Sequence, residues 1–171
     1  MTRWAGVALT DRRAERRALL IDAAYALFGT GGEAALTVRS VCRESALNTR
    51  YFYESFADIG ELLGAVFDKV AADSSIPQAP RDMAKLRAGY ILVDSGSYQD
   101  VSSRVEVLTN DTNPLRHSAR EALGLSAWKE GKAKDALALF EQIATDETAP
   151  RNARDRASML SDLIRGAGDA S

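Results

Sequence analysis

Residues 37–56, TVRSVCRESALNTRYFYESF, decide how the first part of this chain folds. Thr37 is a good N-cap, and the residues after it read as a short helix from about Val38 to Glu44. Ser45-Ala46-Leu47 reads as a tight turn, after which Asn48 caps another short helix reaching about Glu54. Val38, Val41, Cys42, Leu47, Phe52 and Phe56 are the apolar positions of this unit. Val41 and Cys42 fall on the inner face of one helix, Leu47 plugs the turn, and Phe52 anchors the next helix. Two short helices joined by a three-residue turn over such an inner set form a helix-turn-helix. Cys42 stands where a small buried residue is needed and reads as core. It is the only cysteine, which excludes an internal disulfide and argues against a cysteine-based zinc site.

Upstream, Asp11 to Phe28 reads as a helix whose apolar pairs Leu19/Leu20, Ala23/Ala24 and Leu27/Phe28 recur on one face. The glycines at 29, 31 and 32 stop it. They do not make a phosphate loop, because no Gly-Lys-Ser/Thr follows and no strand precedes. Downstream, Asp58-Ile59-Gly60-Glu61 has the form of a capping box and opens a helix with the stripe Ile59, Leu62, Leu63, Val66, Phe67 and Val70. The stretch 73–80 then holds two of the four prolines and reads as a linker. The expected organisation is a domain at 1–73, a linker at 74–80 and a second domain at 81–171.

The order of these features resembles the N-terminal domain of the TetR family of transcriptional regulators over about residues 11–70. It has the apolar helix, the glycine stop, the TVR opening at 37–39, the small residue at 42 and the YFYESF stretch at 51–56. The resemblance implies that the helix from Asn48 enters the DNA major groove, where every base pair shows a distinct donor and acceptor pattern, while the preceding helix crosses the backbone. It further implies that Thr49, Arg50 and Tyr51 face base edges, with Arg50 forking onto guanine. Thr37, Asn48 and Tyr53 would meet phosphates, Arg39 would add a contact from the preceding helix, and Arg12 or Arg13 would reach the flanking backbone or minor groove. Three positions depart from the family pattern. Ser55 stands where histidine is frequent, Ile59 stands near a frequent lysine, and Glu54 brings a negative charge close to the expected interface.

Charge is unevenly spread in a chain whose net charge is −2. Residues 1–20 hold five arginines against two carboxylates, whereas residues 71–171 hold 13 basic and 15 acidic groups. The balance argues against a generic polyanion binder, and the basic N-terminal arm is a modest pointer to nucleic acid. No apolar run is long enough to span a bilayer and residues 1–10 lack a signal-peptide core, so a cytoplasmic location with no membrane contact is expected.

The second half carries an internal repeat. Gly89, Gly124 and Met159 are spaced by 35, as are Gly96, Gly131 and Gly166, and the same offset pairs Val101 with Ala136, Val105 with Phe140 and Leu108 with Ile143. A period of about 34 residues with helix-turn-helix content is that of tetratricopeptide repeats. The stretch 122–143, ALGLSAWKEGKAKDALALFEQI, resembles that repeat. The stretches RAGYILVDSGSYQDV and NPLRHSAREALGLSAWKEG also resemble the tetratricopeptide region of an envelope-associated bacterial family related to an ancillary translocon subunit. Helix pairs are expected at about 81–95 with 98–109 and 115–130 with 133–146, with a capping helix at about 151–165. His117, the sole histidine, reads as a surface or cap residue, Trp128 as packing between helices, and Ser95-Gly96-Ser97 as a turn.

The expectation is an all-α protein of about nine helices: a helix-turn-helix domain followed by a tetratricopeptide-like array of helical hairpins. It is expected to bind double-stranded DNA at a palindromic operator as a homodimeric regulator, to be no enzyme, and to need neither cofactor nor metal. The repeat module would serve dimerisation or a protein or peptide partner. Two alternatives fit the same residues. The chain could be an interaction scaffold with an inert N-terminal module, or a hybrid of two unrelated parents without an evolved operator.

Overall fold

The structure, a computed structural model, describes residues 9–168; Arg3, counted above in the basic arm, lies outside them. Among the described residues there are nine α-helices, two single 3-10 turns and no strand. The chain divides into two compact units between Lys69 and Val70.

In the first unit, α1 (Leu9–Gly31) extends past the expected stop at Phe28. The left-handed glycine is Gly32 (φ 63°), whose N–H still reaches the Phe28 carbonyl at 2.8 Å. Gly29 and Gly31 are helical, because a glycine weakens a helix without forbidding it. Helix α2 (Val38–Glu44) opens on Thr37 in a reciprocal box: Thr37 Oγ1 accepts the Ser40 N–H, and the Thr37 N–H donates to Ser40 Oγ. Helix α3 (Thr49–Ser55) opens on Asn48, whose side-chain oxygen accepts the Tyr51 N–H at 3.1 Å. Helix α4 (Ile59–Ala72) begins after Asp58. Asp58 accepts the Glu61 N–H while the Glu61 carboxylate reaches back to the N–H of Ala57, one residue before the position a capping box would use.

These caps aim the apolar faces at one core of Leu20, Ala23, Ala24, Leu36, Val41, Cys42, Phe52, Phe56, Leu62 and Val66, with Leu47 packed against it. Each fully buried large side chain among them contributes on the order of 1.5–3 kcal/mol.

The second unit stacks α5 (Gln78–Ser95), α6 (Tyr98–Val105, continued by a 3-10 turn at Glu106–Leu108), α7 (Arg116–Lys129), α8 (Ala133–Ala144) and α9 (Arg151–Gly166). Helix α5 starts earlier than the expected linker allowed. Gln78, Ala79 and Pro80 are helical, since a proline in a first turn removes an N–H that has no intrahelical partner anyway. Two apolar clusters run through the stack. Leu86, Val101, Val105 and Leu123 belong to one, and Ala136, Phe140, Ile143, Ala157 and Ile164 to the other, with Trp128 against it. A methyl group built on Gly124 would lie 2.8 Å from the Phe140 ring, and one on Gly89 would collide with Val105. Those two contacts are related by the 35-residue offset in both members.

His117 is not the surface or capping residue its position suggested. It is 7% exposed, and neither ring nitrogen has a hydrogen-bond partner. The segment between α8 and α9 brings Asp146 Oδ2 to 3.6 Å from Nε2, too far for a hydrogen bond. Burial first, then the neighbouring Arg116 and Arg120, push its pKa below the ordinary histidine value against the opposing pull of Asp146. No helix among the described residues is long and apolar enough to cross a membrane.

Candidate nucleic-acid interface

Helix α3 is held from behind. Phe52 is fully buried, packs edge-on against Tyr53 at 5.3 Å and lies 5.8 Å from Phe56. With that one side chain fixed inward, helical geometry turns Thr49, Arg50 and Tyr53 outward; all three are exposed, and Tyr53 is 61% so. The turn before α3 is a Schellman motif. The Leu47 N–H reaches the Cys42 carbonyl at 3.0 Å, the Ala46 N–H points at the Arg43 carbonyl at 3.4 Å, and Ala46 takes φ 55°. That left-handed residue sets the direction in which the chain leaves α2, and with it the direction of α3.

Beyond the outward Thr49 and Tyr53, the expected contact residues fall into three groups. Arg12 and Arg13 on α1 and Arg39 on α2 are exposed, and no ion pair joins them to a carboxylate among the described residues. Thr37 and Asn48 are also exposed, but both side chains already serve as caps. Asn48 keeps its amide NH₂ as a free donor type after its oxygen is used. The Thr37 hydroxyl both accepts from the Ser40 N–H and donates to Ser40 Oγ at 3.0 Å, so its one hydrogen is already engaged. The third group is drawn together. Arg50 Nε donates to Glu54 Oε1 at 3.0 Å while its side chain remains 83% exposed, and Tyr51, half-buried, lies under the guanidinium of Arg16 at 4.3 Å.

Arg16 and Arg17 were not among the residues singled out in the sequence. Arg16 Nη2 lies 3.6 Å from Glu54 Oε2. Arg17 donates to the Ser55 carbonyl at the end of α3, approaches Glu61 at 3.7 Å and covers the Phe56 ring at 4.0 Å. Both sit 35 residues or more from their partners, so no local pattern could reveal them. Their only sequence signal is that they belong to the basic run of α1. Cys42 is buried and burial raises its thiol pKa, which fits packing rather than nucleophilic chemistry. Among the described residues no three His, Cys, Asp or Glu side chains are placed to hold a metal ion.

Residues 20–66, from the middle of α1 into α4, match the family model of bacterial regulatory proteins, tetR family. No curated protein and no solved structure matches the chain. The matched segment covers the whole helix-turn-helix and identifies it as a DNA-binding domain of the TetR type.

Proposed function

We propose that the chain is a transcriptional regulator that binds double-stranded DNA by sequence, two copies together on a palindromic operator. Helix α3 enters the major groove with Thr49, Arg50 and Tyr51 at base edges. Asn48 and Tyr53 contact phosphates, with Thr37 joining once its hydroxyl is released from Ser40. Arg39 adds a contact from α2, and Arg12 or Arg13 extends the contact to flanking backbone or minor groove. The supporting observation is the outward face of α3, pinned by buried Phe52, within a segment that matches a DNA-binding family. The two reading helices must be about 34 Å apart on adjacent major grooves, and this motivates the dimer.

The domain assignment that goes with this reading is a DNA-binding module to about residue 73 and a tetratricopeptide-like module beyond the connection. The second module would dimerise or take a protein or peptide partner. Its support is the matched pair of close approaches, Gly89 on Val105 and Gly124 on Phe140.

The direct test is affinity for a random-sequence duplex against salt. A protein using five or six cationic contacts loses affinity with a log–log slope of roughly −5. A slope near zero, or no binding in dilute salt, removes the DNA reading and leaves the interaction scaffold.

A further inference from the structure

Glu54 is out of place on a DNA-facing helix. It lies near the C-terminal end of α3, where the helix dipole already disfavours a carboxylate, and it would repel phosphates. Yet its side chain is only 27% exposed and divided between two arginines. Oε1 takes Arg50 from its own helix at 3.0 Å, and Oε2 faces Arg16 of α1 at 3.6 Å. Arg16 is itself only 26% exposed, and its guanidinium stacks on Tyr51 at 4.3 Å.

We propose that Arg16 is a positioning residue for the reading face and that Glu54 is the counter-ion holding Arg50 in the free protein. This rests on the DNA reading above. The two arginines then play unequal parts. An exposed i,i+4 ion pair such as Arg50–Glu54 is weak, so Arg50 exchanges Glu54 for a base edge at little cost. Arg16 stays behind, because it is anchored on α1 and held by the Tyr51 ring as well as by the carboxylate. It therefore keeps Glu54 neutralised while Arg50 is away, and it fixes the plane of Tyr51 before DNA arrives. Ordering that ring in advance lowers the entropy cost of binding.

The experiment uses the full chain and one duplex selected from a random-sequence pool by the unaltered protein. Affinity and salt slope are measured for Arg16→Ala, Arg16→Lys, Glu54→Gln and the double variant Arg16→Ala/Glu54→Gln, with thermal melts to check folding. Arg16→Ala is expected to bind about tenfold more weakly with an unchanged salt slope, the size of an ordinary coupling between neighbouring charges. Glu54→Gln alone binds at least as well as the parent. The double variant recovers most of the loss, because the uncompensated carboxylate is gone, and Arg16→Lys falls between. A slope smaller by about one in Arg16→Ala, with no recovery in the double variant, would make Arg16 a direct phosphate contact and overturn the proposal. The Tyr51 ring resonances of the DNA-free protein give an independent reading. They shift in Arg16→Ala and return toward the parent in Arg16→Lys. If they do not move, the positioning role of Arg16 is refuted whether or not the protein binds DNA.

Discussion

Replacing Ala46 by glycine should stabilise the first unit, and a second motif in the same molecule shows why. Helix α7 ends as α2 does: the Lys132 N–H reaches the Ala127 carbonyl and the Gly131 N–H the Trp128 carbonyl, both at 2.9 Å. The left-handed residue there is Gly131, at φ 75°. At the end of α2 the same place is filled by Ala46, at φ 55°. Forcing a Cβ into that region costs roughly 1–2 kcal/mol. Glycine removes the cost but gains freedom in the unfolded chain, which gives back about 0.4–1 kcal/mol. Ala46 is exposed, so no packing is lost with its methyl. The net expectation for Ala46→Gly is a gain of about 0.5–1 kcal/mol. The reverse change, Gly131→Ala, should cost the second unit a similar amount, since a methyl there meets open space and only the backbone conformation is penalised. Native-state hydrogen exchange suits the measurement, reading amides such as Val41 and Phe52, hydrogen-bonded to Thr37 and Asn48, in the first unit and Ala136, hydrogen-bonded to Lys132, in the second. Destabilisation of those amides by Ala46→Gly, or a neutral Gly131→Ala, would refute the assignment of left-handed strain to this turn.

Two further outcomes follow from the second unit. Gly124→Ala should destabilise it by about 1–3 kcal/mol in chemical denaturation, because the Phe140 ring that the methyl would strike is fully buried and has nowhere to move; a stabilised variant would contradict the close approach. His117 has a folded pKa below its unfolded value, so the unfolded chain binds the proton more readily. Stability is therefore present above the ordinary histidine pKa of about 6.5 and is lost as pH falls below it. Thermal melts of the second unit, followed by circular dichroism, should show a lower midpoint at mildly acidic pH, and the drop should shrink in His117→Gln; the same drop in both proteins would assign it elsewhere.

The helix-turn-helix was legible because every signal that makes it is local. Thr37 and Asn48 announce helix starts through their own side chains, and the inner set from Val41 to Phe56 lies within twenty residues of sequence. The helices of the second unit were legible for a different reason, since the 35-residue offset exposes both halves of each glycine contact. What escaped was set by distance or by silence. Arg16 meets Tyr51 only after the fold has formed. His117 lies buried beside Asp146 of the segment between α8 and α9, and nothing near residue 117 encodes that approach. Ala46 in a left-handed conformation leaves no trace in the sequence, because alanine is a good helix residue and an unusual choice for this turn. The start of α5 at Gln78 was hidden by reading Pro77 and Pro80 as breakers, when one precedes the helix and the other fits its first turn.

Sequence reading by α3, as proposed, depends on Arg50 reaching the base edges of DNA. The most direct check is the base-by-base binding profile of the unaltered chain and of Arg50→Ala, both measured on a library of point variants of the selected duplex at one salt concentration. Arg50→Ala is expected to lose discrimination at one base pair of each half-site, by about 1–3 kcal/mol, while preference at the remaining positions persists. An identical profile for the two proteins would contradict it.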